Sequence, residues 1–237
     1  MGVFNDMLKN ASLHQNNSWK QIAMNMLLAA VSLFINGFGI YLTIQANIGA
    51  SPWDVLHIGM SKSLGILYGT ASIIVSLSIL AIDISLREPI GIAMFIDSIV
   101  VGKSVDFFNR INLVPKCTSP VLGVVVMLLG LTIAAYTQYT YMTASLGCGP
   151  RDTLLVALSK RIKKVPIGGL SIALLTTVTF IGWLLGGPVG IGTLISAFAT
   201  GPIMQVAFKS VKFNAAEVHH QRIDESFKTV FTHSHAA

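Results

Sequence analysis

Two aspartates stand at matching places in a motif that occurs twice in this 237-residue chain. The stretch "GASPWDVL" begins at Gly49, and the stretch "GCGPRDTL" begins at Gly147. In each stretch a proline lies three residues after the glycine, and an aspartate, Asp54 or Asp152, lies two residues after the proline. Proline is favoured at the first position of a helix, and an acidic residue at the third position stabilises the helix start. Each copy therefore predicts a tight turn followed by a new helix.

The chemistry that Asp54 and Asp152 offer is the binding of a cation, a proton or a cationic group of a substrate. A helix N-terminus carries a positive charge of about half a unit, which helps a nearby carboxylate to stay ionised. Ionisable groups inside a membrane are costly, and they usually face a partner or a water-filled space. The alternative is that both aspartates only cap their helices. The sequence leaves both interpretations open.

A histidine in the first copy adds a group that titrates near neutral pH. His57 lies three residues after Asp54, so the two side chains share one face of the predicted helix. Such a pair can relay a proton. The alternative is a histidine near the membrane surface that is hydrogen-bonded to its neighbour. Leu155 takes the place of His57 in the second copy, so the two copies differ in the chemistry they offer.

Arg151 and Asp97 complete the set of candidate binding residues. Arg151 stands where the first copy has Trp53. Its planar guanidinium can hold an anionic substrate group with two hydrogen bonds. It can equally pair with Asp97 or Asp106, or lie among the lipid headgroups. Asp97, in the middle of a long apolar run, is either a functional carboxylate or one half of a buried pair with Lys103.

The composition indicates what kind of protein carries these residues. The chain is 53% hydrophobic and only 11% charged, whereas a soluble domain has about 25% charged residues. Such a chain cannot cover a water-facing surface, so it predicts a multi-span protein in contact with the lipid bilayer. The net charge of +6 does not indicate a nucleic-acid partner, because lysine and arginine lie in short loops between apolar runs, as membrane topology requires.

The apolar runs predict an all-α fold. Six runs are long enough for a membrane span of about 20 residues, and two segments at the motif copies predict helices that are too short to fill the bilayer core. The long runs fall near 22–46, 67–86, 89–108, 120–144, 167–185 and 188–208, and the short segments at 51–64 and 150–163.

Sequence similarity continues beyond the motif and predicts two duplicated halves. Each half has three long transmembrane helices plus one short helix that starts at the Gly-x-x-Pro-x-Asp motif. Paired halves are a construction principle of secondary transporters. The predicted parts are a polar N-terminal tail (1–20), the first repeat (21–108), a cytoplasmic linker (109–119), the second repeat (120–208) and a polar C-terminal tail (209–237).

The positive charges favour one of two topologies. If the short helices cross the membrane, the halves are parallel, and 14 of the 16 lysine and arginine residues lie on or near the cytoplasmic side. If each short helix enters and leaves on one side, the halves are inverted and the number falls to 12 of 16. The positive-inside rule therefore predicts the parallel arrangement, with both chain termini in the cytoplasm.

The two motif copies, the Gly-rich span that follows and the size of the chain resemble the YczE/YitT-type bacterial integral membrane proteins. The resemblance covers about residues 22–208. It implies a multi-span protein of the bacterial plasma membrane and supplies no catalytic residues.

These observations together predict a small-solute transporter or exporter that works by alternating access between the two halves. The alternative is a non-transporting membrane partner or anchor that supports another protein. We expect no enzyme activity and no cofactor, because no catalytic motif is present. We also expect no metal site, because the four histidines after residue 218 are loosely spaced. A homo-oligomer is compatible with the sequence. The substrate-binding candidates are Asp54, Asp152, Arg151, Asp97 and His57.

Overall fold

The computed structural model describes residues 19–143 and 149–211, except for the side chains of residues 19–22, 92 and 93. These two stretches form eight helices and contain no strand. Most of both predicted tails and the start of the second motif copy lie outside the described residues. The helices are α1 (Trp19–Gln45), α2 (Pro52–Leu64), α3 (Tyr68–Ser85), α4 (Ile92–Ile111), α5 (Pro120–Thr143), α6 (Pro150–Arg161), α7 (Ile167–Leu184) and α8 (Ile191–Ser210).

Helix lengths agree with the predicted pattern of long and short segments. Helices α1, α3, α5, α7 and α8 are long and apolar enough to cross a membrane. The sixth predicted span, α4, has 20 residues but contains Asp97, Lys103, Asp106 and Arg110. The short helices α2 and α6 have 13 and 12 residues and begin at the predicted prolines, Pro52 and Pro150. Since a helix rises about 1.5 Å per residue, neither can span a hydrocarbon core of about 30 Å.

The first helices of the two predicted halves pack against each other in opposite directions. A Cβ atom on Gly39 would lie 2.8 Å from the carbonyl oxygen of Gly130, and one on Gly123 would lie 2.5 Å from that of Ala46. Asn36 donates a hydrogen bond to the Thr137 hydroxyl at 3.0 Å. Residue numbers along α5 therefore fall as those along α1 rise. Small residues allow this close approach of helices in a membrane.

The short helix α2 enters the helix bundle and leaves it at the same end. Helix α4 runs parallel to α1, because Gly37 lies against Ser104 and Tyr41 lies against Phe108. Helix α3 runs antiparallel to α4, and the amide of Gly69 near its start donates a 2.8 Å hydrogen bond to Asp106. The end of α1 and the start of α3 thus lie at the same end of the bundle, and α2 connects them without crossing.

The second short helix is re-entrant from the opposite end. Helix α8 starts beside the loop after α1, where the Gly192 amide donates to the Ile48 carbonyl at 2.8 Å. It runs parallel to α5, with Tyr136 and Ser210 hydroxyls 3.1 Å apart near the far end. Helix α6 connects the end of α5 to the start of α7 at that far end. The end with residues 112–119 is called the linker end below, and the end with Glu88 is called the Glu88 end.

The predicted parallel arrangement is therefore wrong for the described helices: the short helices do not cross, and the halves are antiparallel. The linker also lies at the end of α1, since Tyr41 donates to the Val114 carbonyl at 2.7 Å and Asn47 to that of Cys117 at 3.1 Å. The linker and the start of α1 therefore lie at opposite ends of the bundle. The predicted topology had placed both of them in the cytoplasm. Because the tail charges contribute equally to both topologies, the charge count rested on a net difference of two residues, which did not decide the topology.

Each short helix packs on a long helix of the other predicted half, α2 on α7 and α6 on α3. This exchange follows the pattern expected of two related halves, while the duplication itself stays a prediction. It also joins the two halves through apolar contacts. One hydrophobic cluster contains residues of both halves: Leu56, Val75, Ile79, Leu154 and Val178, with Leu86 and Leu158 packed against it.

The crossing of α2 and α7 predicts a large effect of a single methyl group. A Cβ atom on Gly182 would lie 2.5 Å from the Leu56 amide nitrogen and 2.6 Å from its Cα atom. Because backbone atoms cannot move aside, Gly182→Ala should separate the helices and destabilise the protein by about 1–3 kcal/mol or more. The measurement is the thermal unfolding temperature of the purified protein in detergent.

Gly201→Ala is the matched control for this prediction. Gly201 lies within α8, and a Cβ atom there meets nothing within 4 Å. The control should unfold at the parental temperature or slightly above it, since alanine favours a helix by about 1 kcal/mol over glycine. An unchanged unfolding temperature for Gly182→Ala would contradict the close α2–α7 crossing.

Candidate functional site

The start of α2 holds a buried carboxylate that is fully hydrogen-bonded. Asp54 is 3% exposed. Its Oδ1 atom accepts a 2.7 Å hydrogen bond from the hydroxyl of Tyr68, the first residue of α3, and its Oδ2 atom accepts one from the Ser51 hydroxyl. No side-chain hydrogen bond caps the start of α2. Of the two interpretations that the sequence left open, the one in which Asp54 only caps its helix is not observed, because the carboxylate accepts from Ser51 and Tyr68 and from no free amide.

His57 connects this carboxylate to the second short helix. The imidazole is fully buried. Its Nδ1 atom lies 3.2 Å from the Tyr68 hydroxyl and 3.7 Å from Asp54 Oδ1. Its Nε2 atom lies 3.4 Å from a terminal nitrogen of Arg151, in the first turn of α6. A chain of polar side chains thus runs from Asp54 through Tyr68 and His57 to Arg151, from one predicted half to the other.

The arginine side chain fixes which nitrogen of His57 carries the proton. A guanidinium only donates hydrogen bonds, so Nε2 must act as the acceptor, and the proton of the neutral ring lies on Nδ1. The Nδ1–H group can then donate to the Tyr68 oxygen while the Tyr68 hydroxyl donates to Asp54. Every contact in the chain is satisfied with Asp54 ionised, His57 neutral and Arg151 charged.

Two more carboxylates lie at the start of α6. A Cβ atom on Gly149 would be 3.5 Å from Asp97 Oδ2 and 3.7 Å from Asp152 Oδ2, so both carboxyl groups flank the start of α6. Arg151 lies in the first turn of the same helix, directly before Asp152 in the chain. Its guanidinium carbon lies 5.0 Å from the centre of the Trp53 ring, which is a cation–π contact. The site thus brings one cation, two carboxylates and an aromatic face to the start of α6.

Burial divides the site into a closed part and an open part. Asp54, His57 and Tyr68 are buried, whereas Arg151 and Asp97 are partly exposed and Asp152 is exposed. Within the described residues neither Asp97 nor Asp152 has a hydrogen bond or an ion pair within 4 Å. Their carboxyl oxygens thus differ from those of Asp54, which accept hydrogen bonds from Ser51 and Tyr68.

The structure brings all five predicted binding candidates together, although they come from three helices. Sequence analysis missed Tyr68, Ser51 and Trp53, which complete the hydrogen bonds and the aromatic face. One signal was available for Tyr68. It stands opposite Ile167 in the predicted repeat, so it differs between the copies in the same way as His57 does.

Two pairings that the sequence left open are not observed among the described residues. Asp97 has no ion pair with Lys103. Asp83, four residues before Arg87, is 0% exposed, and neither of its carboxyl oxygens has a hydrogen-bond partner in the described structure. Asp106 accepts the amide hydrogen of Gly69 at the start of α3, because α3 and α4 meet there, and so it is not the partner of Arg151.

An ion-pair cluster closes the Glu88 end of the bundle beside α6. Lys160 donates to one carboxyl oxygen of Glu88 at 2.6 Å and Arg161 donates to the other at 3.0 Å. Arg161 also donates to the Leu86 carbonyl. The Lys160 hydrogen bond, together with that of Arg161, holds the pKa of Glu88 below its usual value. Glu88 thus stays ionised at neutral pH and ties the end of α6 to the loop after α3.

No group of three or more histidine, cysteine, aspartate or glutamate side chains is arranged for a metal ion in the part of the chain that the structure describes. The histidine-rich tail lies outside that part. What the site offers is a guanidinium for an anion, two carboxylates for a cation and two helix N-termini. Helix N-termini favour anionic groups through their free amides.

Five membrane-length apolar helices and two re-entrant short helices define this chain as a multi-span helical membrane protein. It belongs to a family described as a family of unknown function (DUF6198), whose model matches residues 23–209. The predicted resemblance to YczE-type proteins is confirmed.

Three curated proteins are similar to the chain over most of their length. The "Uncharacterized membrane protein YczE" of Bacillus subtilis (strain 168) is 29% identical over 192 residues, which are 78% of this chain and 86% of that protein. An "Uncharacterized protein" of Haemophilus influenzae is 28% identical, over 77% of this chain and 81% of its own. The "Uncharacterized protein YyaS" of B. subtilis is 27% identical, over 77% and 92%. No solved structure matches the chain.

Proposed function

We propose that this protein is a secondary transporter for a small charged solute, which binds between the first turns of α2 and α6. One observation carries the proposal: Arg151, Asp97 and Asp152 meet beside the starts of two short helices that enter the bundle from opposite ends. Transporters built from inverted repeats place their substrate between such discontinuous helices, near the middle of the bilayer.

The charges of the open part favour a zwitterionic solute. Arg151 and the two helix starts are suited to an anionic group such as a carboxylate. Asp97 and Asp152 are suited to an ammonium group, and the Trp53 ring offers a face to either the arginine or a ligand cation. An amino-acid-like metabolite carries both a carboxylate and an ammonium group.

The proposed orientation places the Glu88 end in the cytoplasm of a bacterial cell, with the protein in the plasma membrane. Positive charges in the loops and terminal helical turns are more numerous at that end, which the positive-inside rule assigns to the cytoplasm. The Glu88 end carries Arg87, Lys160, Arg161, Lys163, Lys164 and Lys209, and the linker end carries Lys62, Arg110 and Lys116.

The test is a comparison of charged metabolites inside and outside cells that lack or overproduce the protein. A transporter should shift the distribution of one zwitterionic metabolite in opposite directions in the two strains, and the purified protein in liposomes should then carry that compound. An unchanged distribution, together with co-purification of one defined membrane protein, would favour the alternative role of a partner or anchor.

A further inference from the structure

We propose that His57 and Arg151 form a proton-operated switch, in which a proton taken up on His57 Nε2 releases the Arg151 guanidinium to bind an anionic group in the same site. The inference rests on the proposed function, and it adds the coupling of substrate binding to a proton.

The switch follows from the contact between the two side chains. Arg151 approaches His57 Nε2 to 3.4 Å, and it can do so only while that nitrogen carries a lone pair. A proton on Nε2 would turn the acceptor into a donor and set two cations against each other in a buried place. Like charges at this distance repel strongly in a low dielectric. Protonation of His57 and the present position of Arg151 are therefore mutually exclusive.

After the switch, carboxylates can stabilise both positive charges, the one on His57 and the one on Arg151. A protonated His57 keeps the ionised Asp54 on its Nδ1 side, 3.7 Å away and bridged by Tyr68. The released Arg151 can turn to Asp97 and Asp152, which flank the start of α6, or to the carboxylate of a bound solute. Only a proton is gained, and the guanidinium stays charged throughout.

The helices packed against α2 bring few charged or titratable groups to the imidazole. They are α3, with Tyr68 beside Nδ1, α7, which contains no titratable residue, and α8, whose one charged residue, Lys209, lies in its last turn. Asp54 on α2 itself and Arg151 on α6 complete the groups at the ring. Beyond them lie Asp106, which accepts the Gly69 amide hydrogen, and Asp97 and Asp152 at the start of α6.

Proton and anion must then favour each other. An anionic group that binds Arg151 leaves Nε2 free to accept a proton, and a proton on Nε2 makes Arg151 available to the anion. Because linkage between two ligands is reciprocal, anion binding raises the pH at which His57 becomes protonated. The expected ligand is a small carboxylate that enters together with a proton.

Trp53 provides an internal probe of this switch, because Arg151 lies over its ring. The chain has three tryptophans, so Trp19→Phe and Trp183→Phe leave Trp53 as the only one. The emission of this variant, purified in detergent, is recorded between pH 4 and pH 8 without ligand and with sodium acetate or glycine. We expect one transition as the pH falls, and its midpoint should move to higher pH with acetate.

Two further variants identify the groups that cause the transition. His57→Gln keeps an acceptor toward Arg151 but cannot take up a proton, so the transition should disappear. Arg151→Gln should also abolish it, because no guanidinium leaves the ring. Circular dichroism confirms that each variant is still helical. Sodium chloride at the same ionic strength as the acetate should leave the midpoint in place.

Several results would overturn the proposal. These are a parental emission that does not change with pH, a midpoint that acetate does not move, or a transition that persists in folded His57→Gln. Each of these results can be obtained whether or not the protein transports a solute. Conversely, a normal transition in a protein that carries no solute would retain the switch and reject the proposed transport.

Discussion

Replacing Arg151 by alanine is expected to reduce transport by about 30-fold or more, while the protein still reaches the membrane in normal amount. Arg151 is the cation of the open part of the site among the described residues, and it lies in the first turn of α6, whose start Asp97 and Asp152 flank. Removing one partner of a buried charged contact typically costs 2–5 kcal/mol in binding, and each 1.4 kcal/mol is a factor of ten. Asp97→Asn and Asp152→Asn should have effects of similar size.

The measurement is uptake or export of the solute that metabolite profiling identifies, normalised to the amount of protein in the membrane. Arg110→Ala is the matched control, because Arg110 is an exposed residue in the last turn of α4, away from the site. It should transport at the parental rate. If folded Arg151→Ala and Asp152→Asn also do so, these side chains are not part of the binding site.

Asp54→Asn should behave differently from the variants of the open part. Asp54 is buried, and its oxygens accept hydrogen bonds from Ser51 and Tyr68, so the carboxylate is closed off from a solute. Loss of hydrogen bonds to a charged group costs about 1.5–3 kcal/mol. We expect lower abundance of this variant as the main effect, which separates a supporting residue from a binding one.

Single cysteines after the two short helices are expected to be labelled from opposite sides of the membrane. Ser63 lies at the linker end and Lys163 at the Glu88 end, each close to the end of a short helix and each exposed. In a Cys117→Ser, Cys148→Ser background, Ser63→Cys should react with an impermeant maleimide added outside intact cells. Lys163→Cys should react only after the cells are opened.

Ser119→Cys tests the same topology independently. Ser119 is an exposed residue of the linker, so it should be labelled together with Ser63→Cys and not with Lys163→Cys. Parallel halves place all three positions on the cytoplasmic side. Labelling of all three positions from one side would therefore contradict the inverted topology. Labelling of Ser63→Cys and Lys163→Cys from opposite sides would exclude the parallel one.

The amino-acid sequence by itself determined the helices and the identity of the charged residues in the site. Apolar length and the prolines at positions 52 and 150 are local signals, so all eight helices were predictable, two of them to their first residue. The cost of ionisable groups in an apolar environment singled out Asp54, His57, Asp97, Arg151 and Asp152 for the same local reason.

The tertiary structure decided how these parts are arranged. The direction of α5 against α1 depends on the close approach of Gly39 and Gly130, a contact between residues far apart in the chain that no charge count registers. Packing also gave the two motif aspartates, Asp54 and Asp152, different roles. Tyr68 reaches Asp54 only because α3 starts beside α2, whereas Asp152 at the same motif position has no hydrogen-bond partner among the described residues. Identical local patterns thus acquire different roles, because burial and hydrogen bonding depend on which distant helices surround them.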